Sequence, residues 1–115
     1  MHKVDELKIW KKSIDLTKSV YLLASDLPSD EKYGLNSQTK RSSVSIPSNI
    51  AEGAGRNSNK EFKYFFSIAN GSAYELQTQP ILLTELNLIT KEKVQPVIEI
   101  CIEIQKMNYL FQQKL

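Results

Sequence analysis

Few side chains in this sequence are equipped for catalysis. The single histidine is His2, close to a terminus where mobility is expected, and the single cysteine is Cys101. One histidine cannot supply the Glu-x-x-His pairs with which helical bundles hold two irons. One cysteine excludes Cys-x-x-Cys spacing, a thiolate-rich zinc site and an internal disulfide. Cys101 falls on an apolar stripe and reads as a small buried side chain, because reactive thiols occupy exposed, electropositive places. The run Glu52-Gly53-Ala54-Gly55-Arg56 has glycines but neither the Lys-Ser/Thr ending nor the preceding strand of a phosphate-binding loop, and reads as a helix end and turn. Glu52 and Glu75 could in principle share acid–base work. No nucleophile, base or metal ligand accompanies them. Together with Gln38, Asn49, Ser72 and Asn108 they read as a hydrogen-bond network that fixes helix register. The expectation is a protein that is not an enzyme and needs no cofactor or metal.

The basic residues offer a different chemistry. Lys8, Lys11, Lys12 and Lys18 fall on the polar side of the first helical segment, and Lys40, Arg41, Arg56, Lys60 and Lys63 are expected to surround the connection from the second segment to the third. Free backbone N–H groups at Ser58 and Asn59, at a helix start, suit a phosphate. Lys8, Lys11, Lys12, Arg41, Arg56, Lys60, Lys63 and Lys40 are therefore the candidate nucleic-acid-binding residues, acting on a phosphate backbone. The competing reading is a solvated face with local ion pairs such as Lys11 with Asp15. The net charge of +2 and pI of about 8.6 are modest for a nucleic-acid footprint. Its distribution is uneven. Residues 32–70 carry six Lys/Arg against two Glu, whereas the flanking segments each carry one more acid than base.

Hydrophobic periodicity indicates what must position these groups. In 5–27, Leu7, Trp10, Ile14, Thr17, Tyr21 and Ala24 recur at spacings of 3 and 4, and Ile9, Ser13, Leu16, Val20, Leu23 and Leu27 form a second seam beside them. Two seams are wider than one partner helix covers, which points to several neighbours or an oligomer. Pro28, Ser29, Asp30 and Gly34 supply a turn. A second helix is expected over 35–51, with the stripe Leu35, Thr39, Ser42, Ile46 and Asn49; it is thin with serines, kinked at Pro47 and ended by Gly53 and Gly55. Ser58 and Glu61 form a capping-box pattern before a third helix over 59–88, whose seam is Phe62, Phe66, Ala69, Ala73, Leu76, Pro80 and Leu83, with a bend at Pro80. The fourth is expected from Thr90 almost to Leu115, with Val94, Val97, Cys101, Ile104, Asn108, Phe111 and Leu115 inward and Pro96 disturbing its first turns. Four such segments with short connections give a single all-α domain over 1–115, an antiparallel up-down-up-down four-helix bundle. Without an apolar run of about 18 residues or a signal-peptide core, neither a membrane nor export is expected, and the cytoplasm follows by default.

Several runs are also familiar. Leu7-Lys8-Ile9-Trp10, Tyr33-Gly34-Leu35, Ser37-Gln38, Lys40-Arg41, Val44 to Gly53, Ile68-Ala69-Asn70-Gly71-Ser72 and Glu75 to Gln79 resemble a bacterial family of four-helix bundles encoded by intervening sequences in large-subunit (23S) ribosomal RNA genes. The resemblance covers nearly the whole chain. It implies a non-catalytic bundle that assembles into a closed homo-oligomer, commonly a pentamer. The wider family is similar to the accessory variability determinant of diversity-generating retroelements, which implies nucleic acid and a reverse transcriptase as partners. The chain departs from the family pattern at Pro80, at Asn87-Leu88 where Gly-Tyr is frequent, and at Ser42-Ser43 where alanines are usual. The reading is a homo-oligomeric adaptor that touches RNA or DNA or a nucleic-acid enzyme; the alternative is a purely structural or protein-interaction module.

Overall fold

The computed structural model describes residues 3–28 and 34–115. His2, Ser29 and Asp30 of the expected turn, and Tyr33 lie outside the described residues. A single turn of 3-10 helix (Val4–Glu6) precedes α1 (Lys8–Ala24), α2 (Leu35–Ala54), α3 (Asn59–Glu85) and α4 (Lys91–Gln113). Among the described residues there is no strand. Each helix packs on the next in chain order, and α4 closes back on α1.

Cross-helix bonds fix the antiparallel register. Thr17 on α1 meets Ser43 on α2, Ser45 on α2 meets Ser72 on α3, and Gln105 on α4 donates to Gln77 on α3 at 2.7 Å. Lys12 pairs with Glu103, and Lys93 with Asp26, near opposite ends of the α1/α4 contact. The result is the up-down-up-down four-helix bundle that the periodicity predicts.

The seams of α3 and α4 point inward as expected. Phe62, Phe66, Ala69, Ala73, Leu76, Pro80 and Leu83 are buried, as are Val94, Val97, Cys101, Ile104 and Asn108. At one end the Phe111 ring stacks on Phe62 and Phe66 with centroids 5.3 and 4.9 Å away. The two seams of α1 separate. Ile9, Ser13, Leu16, Val20 and Leu23 enter the core, as does Ala24 from the other seam, whereas Leu7, Trp10, Ile14, Thr17 and Leu27 stay partly exposed and Tyr21 is exposed.

Element ends differ from expectation where local chemistry overrides the pattern. Leu7 has an extended backbone (ψ 119°), so the expected start at Asp5 becomes a separate 3-10 turn before α1. α2 continues past Ala51 to Ala54, because Gly53 keeps a helical backbone and only Gly55 caps the end. Ser58 caps α3 by accepting the Glu61 N–H at 3.2 Å, and its hydroxyl also reaches the Glu61 carboxylate. α3 stops at Glu85 in a Schellman motif. The N–H of Leu88 bonds the Leu83 carbonyl, the N–H of Asn87 bonds that of Thr84, and Asn87 takes the left-handed conformation (φ 58°). Asparagine tolerates that conformation better than other side-chain-bearing residues, which is why it can stand where glycine is frequent.

The helices are continuous through Pro47, Pro80 and Pro96. At Pro47 the reason is visible. Proline has no N–H for the carbonyl four residues back, that of Ser43. The Thr17 hydroxyl of α1 lies 3.0 Å from that carbonyl and 3.0 Å from the Ser13 carbonyl of its own helix, so its one proton is shared between the two acceptors. An orphan acceptor thereby becomes a tie between helices. Thr17→Val should cost about 1–3 kcal/mol by leaving the carbonyl unpaired. In a Pro47→Ala background, where residue 47 regains an N–H, the loss should shrink; a double-mutant cycle in urea checks this.

α2 also approaches α3 closely. Ser42 donates to the Gln79 side chain at 2.7 Å, and the Ser45 and Ser72 hydroxyls lie 2.8 Å apart. A Cβ on Gly53 would lie 3.0 Å from Cβ of Phe65 and 3.2 Å from the Phe62 carbonyl oxygen, whereas a Cβ on Gly71 would meet nothing within 4 Å. The same substitution should therefore have opposite signs. Gly71→Ala should stabilise by roughly 0.5–1 kcal/mol through helix propensity, and Gly53→Ala should destabilise by about 1–3 kcal/mol through overpacking, measured by denaturation at one protein concentration.

Candidate nucleic-acid interface

The antiparallel order determines which basic residues share an end of the molecule. The starts of α1 and α3 and the finishes of α2 and α4 lie together. Trp10 and Ala51 line one groove there, Lys8 and Lys114 line another, and the Asn59 amide donates to the carbonyl of Leu115 at 3.4 Å. Lys8, Lys11, Lys12, Arg56, Lys60 and Lys63 therefore belong to one end. Lys40 and Arg41 do not. They precede Arg56 by about 15 residues along α2, roughly 20 Å at 1.5 Å per residue, and Lys40 sits over the Tyr21 ring near the finish of α1, 5.0 Å from its centroid. The expectation that they surround the α2–α3 connection is thus corrected: sequence proximity to a connection does not survive the length of a helix.

Internal partners divide the candidates further. Lys12 pairs with Glu103 at 3.1 Å. Arg56 pairs with Glu52 at 2.8 Å, one helical turn earlier, and lies over the Phe65 ring at 4.7 Å. Lys8, Lys11, Arg41, Lys60 and Lys63 are exposed and make no ion pair among the described residues. The expected Lys11–Asp15 pair is not among those formed.

Counting side-chain charges by position, the end comprising residues 3–12, 52–63 and 106–115 has nine Lys/Arg against four Asp/Glu. The opposite end, residues 20–28, 34–41 and 80–95, has four against three. Lys3, Lys106 and Lys114 contribute to the first total and were not among the sequence candidates. Lys3 is near Lys8 in the sequence itself, whereas Lys106 and Lys114 join this end only through the antiparallel register, which returns the end of α4 to the start of α1.

The polar network is partly as expected. Asn108 is buried and donates to the Phe66 carbonyl at 2.9 Å, Asn49 donates to the Ser45 carbonyl at 2.8 Å, and Gln79 donates to Glu75 at 3.3 Å. Gln38, Glu52 and Glu75 are exposed. Glu52 and Glu75 are not brought together, since Ser45–Ser72 and Gly53–Phe65 place them at different levels of the α2/α3 contact. Among the described residues no cluster of three or more His, Cys, Asp or Glu could hold a metal ion.

The sequence profile of the 23S rRNA-intervening sequence proteins matches residues 5–109. The chain belongs to that family. No curated protein matches it. A solved structure, that of a protein with unknown function from the S23 ribosomal protein family of Bacteroides thetaiotaomicron VPI-5482, is similar with a TM-score of 0.84 and 26% identity, over 90% of this chain and 97% of that one. No described helix of this family member is long and apolar enough to cross a membrane.

Cys101 lies fully inside the bundle, and burial pushes its thiol up from 9.0 to about 12. The native protein should therefore resist an aromatic disulfide reagent at pH 8 and react only once unfolded. The unfolded thiol releases its proton at lower pH than the folded one, so stability from this group should fall as pH rises from about 9 towards 12. Cys101→Ala should flatten that part of the stability profile.

Proposed function

We propose that this family member is a non-catalytic, self-associating bundle whose basic end binds nucleic-acid phosphates. The carrying observation is the charge asymmetry between the two ends, together with exposed Lys8, Lys11, Lys60 and Lys63 that make no ion pair among the described residues. The lysines are point charges on flexible stems, without a bidentate guanidinium held at a base edge, so the contact is to the backbone of RNA or DNA and largely independent of sequence. Self-association is supported by the outer seam of α1, which remains partly uncovered. An assembly would present several such ends to one polymer, and multivalency would raise avidity without any new contact. A nucleic-acid enzyme such as a reverse transcriptase is a partner that this reading accommodates, working on the same polymer.

Lys8, Lys11, Lys60 and Lys63 changed together to Gln should keep helicity and subunit number and lose RNA or DNA binding. Wild type should lose log affinity linearly with log salt, by roughly 0.9 per phosphate contact on duplex DNA, and the variant should lose that slope. Lys40→Gln with Arg41→Gln, at the other end, should bind nearly as wild type. Absence of wild-type binding at low salt, or undiminished binding by the quadruple variant, would leave a structural or protein-interaction module as the reading.

A further inference from the structure

The aromatic side chains at the basic end divide into those the fold uses and one that it leaves outside. Phe62, Phe66 and Phe111 stack on one another. Tyr64 does not join them. It is 62% exposed on α3, directly after Lys63 and one turn after Lys60, and both lysines are exposed and make no ion pair among the described residues. The Tyr64 ring meets that of Phe65 edge to face, with centroids 5.1 Å apart and planes at 82°. This contact orients the ring while most of the side chain stays in solvent. Phe65 in turn lies under Arg56. The acid of this turn, Glu61, accepts from the Ser58 hydroxyl at 3.3 Å, and the two lysines outnumber it. Along the same outward stripe of α3, Ser67 and Gly71 are exposed, and a Cβ on Gly71 would meet nothing within 4 Å. A planar group can therefore reach Tyr64 from that side. Other exposed tyrosines are placed differently. Tyr21 already lies under Lys40 at the opposite end, and Tyr74 and Tyr109 share a groove with a single lysine, Lys106.

We infer that Tyr64 is a stacking platform for a nucleobase of single-stranded RNA or DNA, whose phosphates Lys60 and Lys63 hold. This rests on the phosphate binding proposed above and names the class of polymer. Two requirements of a single-strand site are met within one helical turn: cations for the backbone, and an exposed aromatic ring between them for a base. In a duplex the base faces are already stacked and paired, so a duplex offers the lysines its phosphates and offers Tyr64 nothing unless a base is unstacked at a cost. A single strand satisfies ring and lysines together. Every base has a π face, so stacking adds affinity without adding sequence preference, in keeping with lysines that contact only the backbone.

The test compares strands that differ in their bases. Fluorescence anisotropy at low salt measures binding of the full chain to labelled oligo(U) and oligo(dT) of about 12 nucleotides, to an abasic strand of the same length, and to a duplex. Wild type should bind the single strands roughly 5- to 150-fold more tightly than the abasic strand, the factor that one stacked base supplies. Tyr64→Ala should lose that factor on the single strands. On the abasic strand and the duplex it should bind as wild type does, with the same salt slope. Tyr64→Trp should retain the affinity. In a Trp10→Phe background, which removes the chain's one native tryptophan, its fluorescence should be quenched by the single strands and not by the abasic strand. Tyr21→Ala, at the other end, should change nothing. Dependence on Tyr64 for either polymer supports the inference, and the tighter of the two identifies the sugar. An abasic strand bound as tightly as the others overturns the stacking platform and leaves the phosphate contact in place. So does a Tyr64→Ala variant that binds as wild type, or one that weakens equally on single strand and duplex. No wild-type binding to any strand overturns both readings. A Tyr64→Ala loss on vesicles of phosphatidylcholine with phosphatidylglycerol, and none on the oligomers, would make this a membrane face and overturn the inference as well.

Discussion

The rest of the bundle depends on how thin α2 is. It packs on α1 and α3 at once, and it does so with Ser42, Ser43, Ser45, Gly53 and Ala54 where a bulkier helix would hold the neighbours apart. Small side chains bury little apolar area, so this helix contributes less hydrophobic stabilisation per residue than α3 with its two phenylalanines. Hydrogen bonds make up part of the difference. Ser42 reaches Gln79, Ser45 reaches Ser72, and the carbonyl freed by Pro47 receives Thr17. Ser42 and Ser45 find partners on α3, which converts a potential penalty into register, while the buried Ser43 hydroxyl is satisfied within α2 by the Lys40 carbonyl. A slip of one residue would leave several such groups unpaired at once.

That arrangement explains which parts of the fold were legible in the sequence. Seams built from large side chains, such as Phe62 to Leu83 and Val94 to Asn108, announce themselves by spacing, and the structure buries them as predicted. The ends were less legible because they turn on backbone conformation. Gly53 looks like a stop signal, yet it is inside the helix for the room it leaves beside Phe65; Asn87, which looks unremarkable, takes the left-handed cap. Prolines within helices illustrate the same limit. Local chemistry predicts an orphan carbonyl at Ser43, but only tertiary packing reveals that Thr17 stands opposite it.

The candidate site was legible in residue type and not in arrangement. The lysines and arginines could be named from the sequence, but their grouping required the antiparallel register. Helix length separates Lys40 and Arg41 from Arg56, and the closure of α4 on α1 brings Lys114 beside Lys8. Internal pairing was equally invisible. Lys12 is tied to a carboxylate about 90 residues away in sequence, on the neighbouring α4. Such exposed pairs are worth little in stability, but they lower the charge that Lys12 and Arg56 can present to an external phosphate.

The doubled seam of α1 joins the fold to the surface. A helix in a four-helix bundle has two neighbours and one core-facing stripe, and α1 spends Ile9, Leu16, Val20 and Leu23 on that stripe. Trp10 and Ile14 then lie in a furrow between α1 and α2, whose α2 wall is Val44, Pro47, Ser48 and Ala51. Those are other positions than Ser42, Ser43, Gly53 and Ala54, which α2 buries. Close packing inside and the uncovered apolar strip outside thus belong to different faces of the same helix. The solved relative shares the fold at 26% identity, which fits a bundle specified by the size and placement of seam residues more than by their identities.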